Sequence, residues 1–430
     1  MDTPAAANAV ANANTNTTAN ATTAAANTAD SLRAPLPLPV PPAQRAAPWA
    51  QLKYHTHHPH IYRNMIGEHS SPIPGGAITR VFDRDGRPFG TGFCNLAAKV
   101  ALRVFKHGAD FVGEDFCTEA LRRAAAFRKD WLRLDDSTDA YRVVHADADA
   151  LGGLVVDRYA DTLSAEVTSL AAFQRLTTWL PVLHNALGTR NSIVQVDDAI
   201  ARVEGIDKRL APATPDRASV KIRENGVRYT VDFAQGHKTG FFCDQRDNRR
   251  KLAALAQGRR LLDVCCYTGG FSIAAKLGGA AEVTGVDLDE KAVAQARANA
   301  NLNQCRANFI HADGFSYMRQ MLRNGSTWDA VLLDPPKFID GRDAFETGLK
   351  KYNDLNVLGL LLTAPGGLFV TCSCSGLLTA EEFEELVVKA AHRYGRRLQI
   401  FDRTGAGADH PALSNYPGSR YLKVLWARAW

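Results

Sequence analysis

Eight cysteines are scattered through 430 residues, yet no two stand as C-x-x-C, so a zinc ribbon is not expected. The chain is too long and too poor in cysteine for a disulfide scaffold. Reduced thiols in a cytoplasmic protein, with no bound metal, are the expectation. No run of about 18 apolar residues occurs, so no transmembrane helix is expected. No lysine or arginine precedes Arg33, and the same stretch lacks a dense apolar core. Neither a secretory signal nor a mitochondrial transit peptide fits that start. What stands there is an Ala/Asn/Thr tract followed by LRAPLPLPVPPAQRAAP, and residues 1–50 are expected to be a disordered tail. An excess of charge is missing as well. Charged residues make up 22% and the net charge is +6, which permits an anionic partner without demanding one. Apolar residues at 46% supply ample core material, and the length suits two or three domains.

Order is expected from about residue 51. Residues 75–105 alternate apolar and polar and are punctuated by Asp85-Gly86 and Phe89-Gly90, which predicts a small barrel of short strands. Residues 117–134 have helical period with basic residues on the polar side. Strands around Gly152-Gly153 and a helix over 171–187 follow, predicting a small α+β unit. From residue 220 a hairpin turning at Asn225-Gly226 precedes strictly alternating strands and helices. That alternation predicts a doubly wound parallel sheet with ligands at the carboxyl ends of its strands.

The dinucleotide fingerprint GxGxxG is absent. The first strand ends instead in LLDVCCYTGGFS. There Gly269 and Gly270 permit a tight turn, and Asp263 can accept from a cationic amino group. The second strand ends in Asp287, at the spacing of an acid that holds ribose hydroxyls; a helix N-cap is the plainer role for an acid there, and Asp289 suits it better. The third ends in Asp313, which can accept from an adenine amino group. The fourth ends in Asp334-Pro335-Pro336-Lys337, whose prolines fix the chain as it leaves the sheet. The fifth ends in Thr371-Cys372-Ser373-Cys374-Ser375.

Five polar strand ends in this order resemble the class I S-adenosylmethionine-dependent methyltransferases. In that family the first turn holds the methionine end of the cofactor, the second acid the ribose, the third the adenine, and the fourth motif faces the substrate. Together with HKTGFFCDQRDNRR (237–250) and ADHPALSNYPGSRYLKV (408–424), these motifs are similar to the 23S rRNA 5-methylcytosine methyltransferase family, rRNA large-subunit methyltransferase I. The resemblance spans residues 52–430 and implies a PUA-like RNA-binding barrel (51–120), a central α+β domain (121–218) and a Rossmann-like methyltransferase domain (219–430). HHPHIYRNMI stands where such barrels usually open on a His-Pro-Trp-type stretch. Large-subunit rRNA is the implied partner, and a homodimer is allowed.

The chemistry this implies is demanding, because C5 of a pyrimidine is a poor nucleophile until a thiolate adds to C6. By the family motif Cys374 is the nucleophile and Cys372 the alternative. Asp334 would hydrogen-bond the cytosine, and Lys337 would touch phosphate, help lower the thiol pKa or simply face solvent. Asp263, Cys265, Tyr267, Gly269, Asp287, Asp313 and Gln245 would bind the cofactor. Gln245 and Arg246 would lie on a segment closing over it, or in a turn salt-bridged from Asp244 to Arg246 or Arg249. His410 suits loop structuring better than proton transfer, and His55 to His60 suit a linker better than a metal. Arg122, Arg123, Arg128, Lys129 and Arg133 can line an RNA path or form an ordinary exposed helix face. Two alternatives stay open: a related rRNA methyltransferase acting on another base, such as guanine N7, and a non-catalytic RNA-binding assembly protein.

Overall fold

The computed structural model describes residues 36–212, 219–233 and 240–430. Residues 1–35 of the expected tail, and the start of the HKTGFFCDQRDNRR segment, lie outside them. Six short strands between Trp49 and His107 form the first sheet. Its first strand, Trp49–Leu52, begins inside the stretch expected to be disordered. The physical reason is Arg45, whose guanidinium sits 4.7 Å from the Trp49 ring and 4.4 Å from the Phe82 ring and bonds back to the Val40 carbonyl. Packing therefore starts before residue 51.

The helix Glu114–Ala126 buries Cys117, Ala120, Leu121, Ala124 and Ala125, a stripe at helical spacing. That stripe packs with the helix Leu170–Leu187 and a four-stranded sheet whose order is Asn191–Gln195, Thr162–Val167, Leu154–Tyr159, Ala140–His145. A boundary at residue 120 thus falls inside one helix, and the helix sides with the second unit. Phe93 and Phe105 of the first sheet join the same apolar cluster, so the two units share a core. Strands Ser219–Glu224 and Val227–Asp232 form the expected hairpin. Asn225 and Gly226 both have positive φ (49° and 84°), the geometry of a two-residue turn that matches strand twist. Its inward residues Val220, Ile222, Tyr229 and Val231 meet Ile273, Val293 and Ala296.

The last sheet has seven strands: β1 (Arg260–Val264), β2 (Glu282–Asp287), β3 (Asn308–His311), β4 (Trp328–Leu333), β5 (Thr363–Ser373), β6 (Leu398–Thr404) and β7 (Lys423–Ala429). Their spatial order is β3-β2-β1-β4-β5-β7-β6. The strands β1 to β5 are parallel, and β7 runs antiparallel between β5 and β6. Helices α1 (Arg246–Leu255), α2 (Gly270–Leu277), α3 (Glu290–Leu302), α4 (Gly314–Arg323), α5 (Phe345–Leu362) and α6 (Ala380–Arg393) cover it. The α6 start is set by a capping box, Thr379 with Glu382. This is the doubly wound sheet that the alternation predicts. The chain order reverses between β1 and β4, and that is where a ligand crevice opens. No helix among the described residues is long and apolar enough to cross a membrane.

Candidate active site

The loop after β1 is wound tightly. Cys265, Tyr267 and Gly269 all adopt positive φ (64°, 48° and 82°), which costs energy for the two non-glycine residues and must be held in place by neighbours. Two bonds donated by backbone N–H groups do so: Cys265 N donates to Val286 O (2.8 Å), and Tyr267 N donates to the side-chain Oδ2 of Asp287 (2.8 Å). Gly269 needs its lack of a side chain twice over, for its φ and because a Cβ would sit 3.1 Å from Ala296 and Phe309.

Asp263 is fully buried. Its Oδ2 accepts from Ser272 Oγ (2.6 Å), while its Oδ1 has no partner among the described residues. Burial, with Asp287 adding repulsion, pushes its pKa up to about 7. Asp287 accepts through its other oxygen from Asp289 N (2.9 Å), and Asp289 is the N-cap of α3, as its position suggests. Asp313 caps α4 by accepting from Ser316 N (2.8 Å). The thiol of Cys265 is pushed well up by burial and by the fields of Asp287, Asp334, Asp263 and Asp313. Four strand-end carboxyls therefore converge on one turn. An orphaned buried carboxylate oxygen amid such a cluster suits a ligand with cationic and hydroxyl groups.

On the other side of the switch point, Asp334 N donates to Val264 O (3.1 Å) and its Oδ1 accepts from Gln245 Nε2 (3.1 Å). Burial, then the charges of Asp244 and Asp263, raise its pKa to about 7. Gln245, expected among the cofactor contacts, is thus tied to Asp334, and its Oε1 accepts from Asn248 (2.7 Å). The loop that follows Asp334 is clamped to the end of β5. Ser375 Oγ accepts from Ile339 N (3.1 Å) and hydrogen-bonds with Tyr352 Oη (2.9 Å).

The two thiols differ sharply. Two positions apart, they would share one face of a regular strand, but pairing with β7 ends at Ser373 opposite Lys423. Cys372 is 1% exposed and packs in an apolar cluster with Val424 and Trp426. Burial, with Asp334 close by, raises its pKa well above the ordinary value. Cys374 leaves the ladder and is partly exposed, with Sγ 4.0 Å from Pro335 O of the Asp-Pro-Pro loop. Lys337 turns outward, with 45% of its side chain exposed and Asp340 3.7 Å away. A different lysine, Lys423, comes to the β5 end by donating to Ser375 O (2.6 Å). Its only mark in the sequence is a charge at the head of the apolar run Val424-Leu425-Trp426-Ala427.

The segment that carries Gln245 is anchored elsewhere than expected. Arg246 pairs with Asp409, Arg249 with Glu224, and Asp244 accepts from Tyr421 Oη (2.7 Å). His410 is buried with its ring 5.2 Å from that of His145. His60 hydrogen-bonds with Asp147 (2.8 Å), and His58 and His60 pack against Tyr416. Among the described residues no cluster of His, Cys, Asp or Glu is placed to hold a metal. Arg128 is removed from the RNA path: it is fully buried and bidentate to Asp149. Arg122 and Arg133 keep exposed positions beside Glu119 and Asp136.

The two raised carboxyls make stability pH-dependent. Their folded values near 7 lie above the ordinary 3.8, so the folded protein binds their protons more tightly. The stability this gives is complete below about pH 4 and is lost as pH rises through 7. The thermal midpoint of the ligand-free protein should therefore fall between pH 6 and pH 8. Asp263→Asn with Asp334→Asn should flatten that decline, which differential scanning calorimetry would register.

Residues 209–421 match the family model described as S-adenosylmethionine-dependent methyltransferase, and residues 48–107 match a PUA-like domain. The chain is 34% identical over 384 residues to a protein of Shewanella frigidimarina named ribosomal RNA large subunit methyltransferase I; the match covers 87% of this chain and 96% of that one. The protein of the same name from Tolumonas auensis is 35% identical over 381 residues, covering 86% and 95%. Among solved structures, an S-adenosylmethionine-dependent methyltransferase from Streptococcus mutans superposes with a TM-score of 0.70 at 21% identity, covering 84% of this chain and 93% of its own. A methyltransferase complexed with SAH superposes at 0.73, also at 21% identity, covering 86% and 96%. Both share this fold.

Proposed function

This chain belongs to the ribosomal RNA large subunit methyltransferase I family, whose cofactor is S-adenosylmethionine, and on that premise we propose that it methylates C5 of a cytosine in large-subunit rRNA through a covalent adduct to Cys374. The observation that carries the reading is the placement of a partly exposed Cys374 thiol against Pro335, one residue from the buried Asp334. S-adenosylmethionine, when bound, supplies an electrophilic methyl group on a sulfonium. Asp263, Cys265, Tyr267, Gly269, Asp287 and Asp313 would hold it, and the unpartnered Asp263 Oδ1 suits its amino group.

The residues then divide the work. The Cys374 thiolate adds to C6 of the base, forming a C–S bond and making C5 enamine-like. Burial raises the pKa of Asp334 to about 7, so it can hold a proton near neutrality and donate it to the ring nitrogen as electron density moves there. C5 takes the methyl group, leaving S-adenosylhomocysteine, and then loses its proton to a base while the ring nitrogen returns its proton to Asp334. The C–S bond breaks, returning the thiolate. The base must leave its stack to reach this crevice. In this reading residues 51–120 contact RNA, residues 121–218 connect, and residues 219–430 do the chemistry, in the cytoplasm where rRNA is assembled.

Nucleoside mass spectrometry of large-subunit rRNA incubated with the protein and S-adenosylmethionine tests the proposal. New 5-methylcytosine is expected. A methylated guanine instead, or no product despite cofactor binding, would overturn it in favour of another target base or a non-catalytic role.

A further inference from the structure

We infer that Lys423 is a positioning residue that holds the Cys374 thiol in its reactive, ionised form. The inference rests on the reading of Cys374 as nucleophile. Lys423 opens β7 and is only 7% exposed. Its ammonium donates to two carbonyls, Ser375 O (2.6 Å) and Tyr421 O (2.9 Å), and the first belongs to the residue next to Cys374. No carboxylate pairs with it among the described residues. A buried ammonium without a carboxylate is costly to keep unless another anion offsets it, and Cys374 stands between the two residues Lys423 meets: Ser373, its partner across the strands, and Ser375, whose carbonyl it holds. Among the described residues, Glu382 at the start of α6 also faces Lys423, and Tyr352 and Cys372 are among the groups that face Cys374. When the thiol proton leaves to solvent, the new negative charge sits beside this fixed positive one. A thiol placed next to a lysine ionises below the free value of about 8.5.

Desolvation lowers the Lys423 pKa to about 8, so its help should fade above that pH. The test is the rate of alkylation of Cys374 by iodoacetamide across pH, read by peptide mass spectrometry on the full-length protein. Wild type should reach half-maximal rate below pH 8.5. Lys423→Gln keeps a donor for the two carbonyls and removes the charge; its Cys374 should react about tenfold more slowly at pH 7, with the gap closing above pH 8. Lys423→Arg should restore the wild-type rate. Equal rates for wild type and Lys423→Gln would overturn the inference. If the glutamine variant does not fold, a wild-type midpoint at or above that of a free cysteine would overturn it equally. Should the rRNA product prove not to be 5-methylcytosine, the nucleophile reading fails, and the alkylation profile still decides whether the two groups are coupled.

Discussion

Cys374→Ala is expected to lower methyl transfer to rRNA by at least about a thousandfold while leaving folding and S-adenosylmethionine binding close to wild type. Removing the nucleophile of a covalent mechanism forfeits the whole easier route, not one contact within it. The side chain itself is partly exposed and contributes little packing, so the stability cost should stay below about 1 kcal/mol. Cys372→Ala should behave in the opposite way. That thiol is 1% exposed beside Trp426, and deleting it leaves a small cavity costing about 1–2 kcal/mol. Activity should survive, because a thiol that burial holds protonated is a poor nucleophile. Single-turnover rates, cofactor titration calorimetry and thermal midpoints on both variants separate these effects. An inactive Cys372→Ala with an active Cys374→Ala would exchange the two roles, and two active variants would exclude a covalent route.

How far this site can be read from sequence follows from how local each feature is. The strand-end acids are legible because a parallel strand carries its polar ligand residue at a fixed place, directly after an apolar run. Asp263, Asp287, Asp313 and Asp334 all stand there, and one turn gathers them. The Asn225-Gly226 turn is legible for the same reason, since it depends on two adjacent residues. The tie of Gln245 to Asp334 is not legible, because the two are 89 residues apart and nothing near Gln245 in sequence marks the pairing. Lys423 is missed because it reaches β5 only through an antiparallel strand inserted between β5 and β6. Arg128 looks like one more basic residue on a helix until Asp149 and the carbonyl of Asp409, 281 residues distant, close on it. The onset of order is misjudged because Arg45 holds a proline-rich stretch onto Trp49 and Phe82, a contact that composition does not reveal.

Asp409→Ala should destabilise the protein by about 3–5 kcal/mol, because it strands a buried guanidinium. Asp409 is fully buried and accepts from Arg246 through both oxygens (2.8 and 2.9 Å) and from Arg142 N (2.9 Å), while its carbonyl accepts from Arg128 (2.8 Å). One residue thus ties the second unit to the segment that carries Gln245, and Gln245 positions Asp334. Burial alone would raise the Asp409 pKa, but His410 and Arg246 outweigh it and hold the carboxyl well below the usual range. A depressed carboxyl gives stability that is present above its unfolded value near 4 and is lost as pH falls through its folded value. The variant should therefore lose most at neutral pH and differ less from wild type in acid. Denaturant unfolding at pH 7 and pH 3 measures this. Pairing Asp409→Leu with Arg246→Met removes both charges and should recover much of the stability, as apolar replacements of buried ion pairs often do. Activity should recover less in that double variant, because the Gln245 segment keeps its packing and loses the bidentate anchor that fixes its angle toward Asp334. Full recovery of both would reduce the network to a packing role, and an unchanged unfolding midpoint in Asp409→Ala would remove it as the anchor of this segment.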